Sequence, residues 1–148
     1  MIAGTDAHLL RSNSILRHGK SSSLKTGLQL VAGKMLSAFG KRSSRYRLTH
    51  QTITVTIGII GSAVYAESYP EYSYLCTCYG QVELSTNVDP TVNERIKTSY
   101  HENPRYIYNS PVDRKLIVEA PVINHKDSEL ILLESLQGRM PPFEGGGY

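Results

Sequence analysis

The residues best suited to chemistry in this sequence are two cysteines one residue apart, Cys76 and Cys78. Thiolates bind soft metal ions, but zinc-binding cysteines are commonly separated by about two to four residues. A disulfide across a single residue would be strained. The pair could instead hold Cu(I), yet no second cysteine pair and no nearby methionine or histidine accompanies it in the sequence. We therefore expect two buried or partner-facing thiols, and a metal at Cys76 and Cys78 is the alternative.

The other candidate groups lack a recognisable catalytic or ligand pattern. His101 and His125 show no regular ligand spacing, so we expect both to be solvated residues of loops. No nucleophile elbow, phosphate-binding loop or dinucleotide fingerprint is present. The carboxylates are scattered along the chain and are expected to face solvent. The sequence therefore predicts no catalytic residues, no enzyme activity and no cofactor.

An uncharged segment at 48–66 precedes the cysteines and would determine where they lie. Nineteen residues in a helix rise roughly 28 Å, which barely spans a bilayer core. Gly58 and Ser62 are four residues apart, a spacing that allows two membrane helices to pack closely. We therefore predict a transmembrane helix over 48–66 that packs on a partner helix through Gly58 and Ser62.

Basic residues stand immediately before this segment: Lys41, Arg42, Arg45 and Arg47. The net charge of +3 divides into +8 for 1–47, zero for 48–66 and −5 for 67–148. Basic flanks stay on the side from which the chain was not translocated. The distribution predicts an N-terminus in the mitochondrial matrix and a C-terminus in the intermembrane space.

The first 47 residues have the composition of a mitochondrial targeting arm, because they are rich in Ser, Lys and Arg and contain one acid, Asp6. Apolar residues in 24–39 recur at helical spacing, which predicts an amphipathic helix there. A basic tail that binds acidic lipid or nucleic acid is an alternative, and Met35 is a second possible start residue.

Two other interpretations of 48–66 remain open. Residues 52–57 alternate strictly between Thr and an aliphatic β-branched residue, which is typical of a half-buried strand. Val64 and Ala66 fit a secretory cleavage site, which would release the chain from Glu67 onward.

Residues 67–148 are predicted to form a small, acidic, Tyr-rich outer domain with a flexible tail at 138–148. Candidate strands are 81–88, 106–108 and 115–123, and candidate helical segments are 93–100 and 128–137.

Together these patterns predict a mostly α fold: one transmembrane helix between a basic amphipathic arm and a small α/β or irregular C-terminal part. The predicted function is that of a non-catalytic, single-span protein of the mitochondrial inner membrane, an accessory or assembly subunit of a respiratory or ATP synthase complex. Its expected partners are other membrane subunits and membrane lipid, not nucleic acid. The alternatives are a secreted or surface binding module released after Ala66, and a small copper or redox factor that uses Cys76 and Cys78.

Overall fold

The computed structural model describes residues 2–3, 5–21, 24–41 and 48–143. Within these ranges the chain forms ten strands, which belong to one sheet, and one helix. The elements are β1 (Ile2–Ala3), β2 (Asp6–Leu10), β3 (Ile15–Ser21), β4 (Leu24–Ala38), β5 (Leu48–Gln51), β6 (Val55–Ser68), β7 (Tyr72–Thr86), β8 (Asn93–Thr98), β9 (Arg105–Val112), β10 (Lys115–Glu119) and α1 (Asp127–Ser135).

Three long antiparallel strands, β4, β6 and β7, form the middle of the sheet. The outer edge of β4 pairs with β3 along its first half and with β2 along its second half. The short strand β5 lies parallel to β4 and antiparallel to β6. On its far edge β7 pairs with β8 and β9, and β9 continues to β10.

The two faces of the sheet carry two separate hydrophobic clusters. Successive residues of a strand point to opposite faces. On β7, Leu75 belongs to the first cluster, whereas Tyr74 and Cys76 belong to the second. Leu130 and Leu133 of α1 join the second cluster, so the helix covers that face.

The predicted amphipathic helix at 24–39 is wrong, because this segment is strand β4. Leu28 and Leu30 contact the same cluster as Met35, although their numbers differ in parity. The switch occurs around Gly33, whose φ of +94° reverses which residues face the core. In each half of β4, residues at every second position point to the same face. Because the two halves are offset by one residue, the combined apolar spacing resembled that of a helix.

The predicted transmembrane helix at 48–66 is also wrong, and with it the mostly α fold. The segment contains β5 and most of β6. Of the residues 52–57, whose alternation favoured a strand, 55–57 begin β6 and 52–54 connect it to β5. Within the described residues no helix is long and apolar enough to cross a membrane. Two further predictions depended on that helix: a single-span subunit of a mitochondrial complex, and a location in the inner membrane. Both are therefore wrong.

The predicted release after Ala66 is not supported either. Ala66 is fully buried in β6, where it pairs with Met35 on one side and Leu75 on the other. Cleavage there would divide a central strand and put most of β6 on a different fragment from β7, the strand with which it pairs along its whole length. The secreted-module alternative is therefore wrong.

The predictions for the C-terminal part fared better. The strands expected at 81–88, 106–108 and 115–123 correspond to the end of β7, the first half of β9, and β10, which ends earlier than expected, at Glu119. The helix expected at 128–137 is α1. The helical turn expected at 93–100 is wrong, because Asn93–Thr98 is strand β8, which pairs with the end of β7.

Candidate metal centre

Strand β7 places Cys76 and Cys78 side by side on one face of the sheet. Residues two apart on a strand share a face, which makes the Cys-x-Cys spacing well suited to a shared ligand in this context. Both thiols are fully buried, and neither forms a disulfide. The pair therefore supplies two sulfur atoms to one enclosed space.

Two histidines from distant connections complete a cluster around these sulfurs. His101 follows β8 and is held by a 2.9 Å hydrogen bond from its backbone N–H to the carbonyl of Cys78. His125 lies between β10 and α1. The exposed fractions of these residues are only 3% and 6%. The prediction that both histidines are solvated is therefore wrong.

The four ligand atoms have the spacing of a tetrahedral site. Cys76 Sγ lies 3.5 Å from His101 Nδ1, Cys78 Sγ lies 3.5 Å from His125 Nε2, and the two nitrogens lie 3.1 Å apart. All four atoms lie within 4.8 Å of one another. Zinc bonded to sulfur at about 2.3 Å and to nitrogen at about 2.05 Å would give N–S and N–N separations of about 3.6 and 3.3 Å. The three distances given first are close to these values, and the other separations are no longer than 4.8 Å.

Hydrogen bonds outside the cluster fix which nitrogen of each ring carries the proton. His101 Nε2 lies 2.9 Å from a carboxylate oxygen of Asp127, and His125 Nδ1 lies 2.7 Å from the carbonyl oxygen of Ile123. Both oxygens accept, so each of these nitrogens donates. When both rings are neutral, the other nitrogen of each is bare, and these two nitrogens face each other beside the sulfurs.

Asp127 is itself held in place from two sides. Tyr100 donates a 2.6 Å hydrogen bond from its hydroxyl to the second carboxylate oxygen of Asp127. Asp127 is also the first residue of α1 and is 3% exposed. A carboxylate that orients a ligating histidine in this way is a common feature of zinc sites.

The two thiols differ in their affinity for a proton. The pKa of Cys76 is lowered, chiefly because the Cys78 thiol donates a hydrogen bond to it and also because His101 and His125 lie beside it. The pKa of Cys78 is raised by burial and by the neighbouring Cys76 sulfur. Burial opposes a charge on His101, but its contacts with Cys76 and Asp127 outweigh burial and raise its pKa. The surroundings of Cys76 therefore favour its thiolate form, although the sulfur is buried.

Aromatic side chains close the cluster from solvent. The ring of Tyr65 stacks on His125 with centroids 4.5 Å apart and planes inclined by 16°. Phe143 lies against His101 and Tyr100, with centroid distances of 5.8 and 4.8 Å. A closed site with four protein ligands is typical of structural zinc, whereas catalytic zinc keeps an open position.

A nucleophilic arrangement is the other chemistry that these residues could support. Cys76, His101 and Asp127 are connected in the order of a thiol, a base and an orienting carboxylate. A nucleophile must reach its substrate, however, and the sulfur of Cys76 is fully buried beneath other side chains. The geometry therefore favours metal binding over nucleophilic catalysis.

The remaining residues singled out in the sequence lie elsewhere. Gly58 and Ser62 belong to β6 and not to a helix, and Lys41 is exposed just after β4. The other basic residues of that group, Arg42, Arg45 and Arg47, lie outside the described residues. Sequence reasoning assigned His101 and His125 to solvated loops and gave Asp127 no role in a site. The signal available was the Cys-x-Cys spacing itself, which gives a shared face once the segment is recognised as a strand.

Comparison with known structures identifies the fold. Two crystal structures, at 1.65 and 2.50 Å resolution, of a candidate anti-sigma factor from Parabacteroides distasonis each match this chain with a TM-score of 0.60 and 12% sequence identity. The match covers 78% of this chain and 50% of that chain, so this chain spans about half the length of that protein. At this identity the likeness shows a shared fold alone. No protein-family model and no curated protein sequence matches the chain.

Proposed function

We propose that this chain is a metal-binding β domain in which one Zn²⁺, held by Cys76, Cys78, His101 and His125, has a structural role. The observation that carries the proposal is the 3.1 Å separation of His101 Nδ1 and His125 Nε2, which are both bare when the two rings are neutral. Two lone pairs at that distance repel each other unless a cation lies between them. A proton could bridge two of the four atoms, whereas a metal ion accepts all four at once.

The donor set favours zinc over other divalent ions. Two thiolates and two imidazoles in a tetrahedral arrangement form a common structural zinc site, whereas calcium and magnesium prefer oxygen ligands. The ligands come from β7, from the connection after β8 and from the connection before α1. Bound zinc would therefore fasten two loops and the helix to the sheet, without a role in catalysis.

The test is the metal content of the purified chain, measured by inductively coupled plasma mass spectrometry after dialysis. We expect one zinc per chain in the wild type and less than about a tenth of that in Cys76→Ser, Cys78→Ser and His125→Gln, since a structural site needs all four ligands. His18→Gln, which changes an exposed histidine of β3, is the matched control and keeps its zinc.

Absorption by a cobalt-substituted protein provides a second reading. Tetrahedral Co²⁺ with two thiolates gives intense visible bands, and these should be lost in the serine variants but kept in His18→Gln. Wild-type protein that binds neither zinc nor cobalt, although it is folded by circular dichroism, would overturn the proposal.

We propose as a second candidate that the chain acts by binding another protein. Its structural neighbour is named as an anti-sigma factor, which is a name for a protein that binds a σ factor. Exposed apolar residues at and after the C-terminal end of α1 support this proposal. Leu132 and Leu136, one turn apart, are about half exposed, and Met140 is 74% exposed. The test is co-expression with candidate σ factors followed by gel filtration. A 1:1 complex lost in Leu132→Asp and Leu136→Asp would support it, and no complex with any σ factor would contradict it.

A further inference from the structure

A cavity of about 590 Å³ lies beside the metal centre but is separate from it. Its floor is formed by Gly61, Ser62, Tyr79 and Gly80, where the pairing of β6 and β7 is interrupted by register shifts. Its walls come from three parts of the chain. The first is the segment after β4, with Phe39 and Lys41, and the second is the end of β8, with Thr98 and Ser99. The third is the end of α1 and the segment after it, with Glu134, Arg139, Met140 and Pro142. The volume is that of a small-molecule site.

Three buried polar atoms at this cavity have no hydrogen-bond partner within the described part of the chain: Ser62 Oγ, Tyr79 Oη and Arg139 Nη2. Ser62 is 1% exposed, and an unpartnered buried hydroxyl is costly. Half of the unpartnered buried side-chain atoms found in the described residues line this one space. All three can donate a hydrogen bond, and Arg139 Nη2 can do nothing else, so a ligand group with several acceptor positions can satisfy all three at once.

The other donors of Arg139 are already engaged. Its Nε donates a 2.6 Å hydrogen bond to Glu134, and its Nη1 donates a 2.8 Å hydrogen bond to the carbonyl of Thr5. The guanidinium is thus held rigidly with Nη2 left over. Since Glu134 offsets one of the two cations at the cavity, Lys41 and Arg139, the lining side chains carry a net charge of +1.

We infer that this cavity binds a small monocarboxylate with an apolar body. The carboxylate would accept hydrogen bonds from Ser62, Tyr79 and Arg139, and Lys41 at the exposed rim would add attraction. A single negative charge matches the net charge of the lining side chains. Phe39, Met140 and Pro142 provide an apolar wall for the rest of the molecule. The inference does not depend on zinc, because no metal ligand lines the cavity.

The test uses octanoate and isothermal titration calorimetry with the full chain. Acetate has the same head group without the body, and octan-1-ol has the same body without the charge. We expect saturable, 1:1 binding of octanoate that is at least about tenfold tighter than that of either comparator, because both halves of the ligand contribute.

Ser62→Ala and Tyr79→Phe provide the decisive variants, because each removes an unpartnered hydroxyl and leaves the unliganded protein at least as stable as before. Each should weaken octanoate binding about five- to tenfold, which is the usual effect of one lost hydrogen bond. Tyr108→Phe, a matched change on β9 away from the cavity, should bind like the wild type. No saturable binding of octanoate, equal binding of octan-1-ol, or undiminished binding by both decisive variants would overturn the inference.

Discussion

At the scale of single residues, Asp127 connects the metal centre to the helix that covers it. Its carboxylate accepts from His101 and from Tyr100 while its backbone begins α1. We expect Asp127→Asn to lower zinc affinity about 10- to 100-fold, because the amide no longer favours the proton on His101 Nε2 as a carboxylate does. Competition with a chromophoric chelator measures this affinity.

The control for Asp127→Asn is Glu129→Gln, which removes a carboxylate from the same helical turn. Glu129 pairs with Arg11 and accepts a 3.0 Å hydrogen bond from the backbone N–H of Lys126, which a Gln side chain can also accept. Glu129→Gln therefore removes the ion pair and weakens the helix while the contact that orients His101, from Asp127, stays in place. Zinc affinity should then stay within about threefold of the wild type. A loss of about 10- to 100-fold is expected only when a variant disturbs the orientation of a ligand. Equal losses in the two variants would show that Asp127 acts through helix stability alone.

A second residue-scale feature is His50 on β5, which is fully buried and has no hydrogen-bond partner for either ring nitrogen among the described residues. Burial, with a smaller contribution from His8, lowers its pKa from 6.5 to about 4. The folded protein therefore excludes a proton that the unfolded chain binds between these two values. The resulting contribution to stability is complete above pH 6.5 and is lost as the pH falls toward 4.

We expect His50→Leu to flatten this pH dependence. Between pH 7 and pH 4 the wild type should lose on the order of 3 kcal/mol more of its free energy of unfolding than the variant, from a pKa difference of about 2.5. Urea titrations at a series of pH values measure both proteins. Parallel pH profiles would contradict the assignment of a neutral, buried imidazole.

At the scale of elements, the alternation of side chains could be read from the sequence only where it was uninterrupted. Residues 52–57 alternate without a break, and the strand alternative followed from them. The alternation indicated strand structure here but not its limits, because 52–54 form the turn between β5 and β6 and only 55–57 belong to a strand. In β4 the even-numbered residues before Gly33 and the odd-numbered Met35 after it face the same cluster. The apolar spacing of the two halves together resembled that of a helix. Helix α1 was predictable because local rules place a helix start near Asp127 and a stop before Gly138, and α1 begins at Asp127 and ends at Ser135.

The second element-scale feature is the interruption between β6 and β7, which depends on Gly80. Its φ is +90°, and a Cβ there would lie 2.4 Å from the carbonyl oxygen of Gly61 and 2.7 Å from Cβ of Ser62. Gly80→Ala should therefore lower the free energy of unfolding by on the order of 3 kcal/mol, from backbone strain and steric conflict together.

Gly58→Ala, in the same strand pair, is the matched control for Gly80→Ala. Its added Cβ would meet Glu83 no closer than 3.8 Å, which is ordinary contact. The change should be neutral or stabilise the protein by about 0.5 to 1 kcal/mol, because alanine loses less backbone entropy than glycine. Urea denaturation distinguishes the two variants, and equal stabilities would contradict the role assigned to the interruption.

At the scale of the whole molecule, the candidate site is a product of long-range topology. His101 lies 25 residues from Cys76, and His125 lies 47 residues from Cys78. No local pattern connects positions so far apart. The sequence therefore identified the cysteines as candidate ligands but did not place the histidines beside them. The pairing of β8 and β9 along the far edge of β7 brings the first histidine back, and the course of the chain from β10 to α1 returns the second.

The same topology predicts what metal removal does to the whole protein. The first hydrophobic cluster, shared by β4, β6 and β7, lies on the face opposite the metal centre and contains none of its ligands. The helix side depends on the cluster around Leu130 and Leu133 and on the ligands His101 and His125. A strong chelator should therefore loosen residues 99–104 and 120–135 while the central strands stay folded.

Peptide-resolved hydrogen exchange, with and without the chelator, measures this difference. Amides of the loosened segments should exchange at least about tenfold faster after chelation, since a bound metal stabilises only the parts that form its site. Amides that pair β6 with β7 should keep their protection. Cys76→Ser/Cys78→Ser should exchange like the chelated wild type and respond no further to the chelator. Uniform loss of protection would mean that the metal holds the entire sheet together, and unchanged exchange in the helix would mean that α1 is held by its apolar contacts alone.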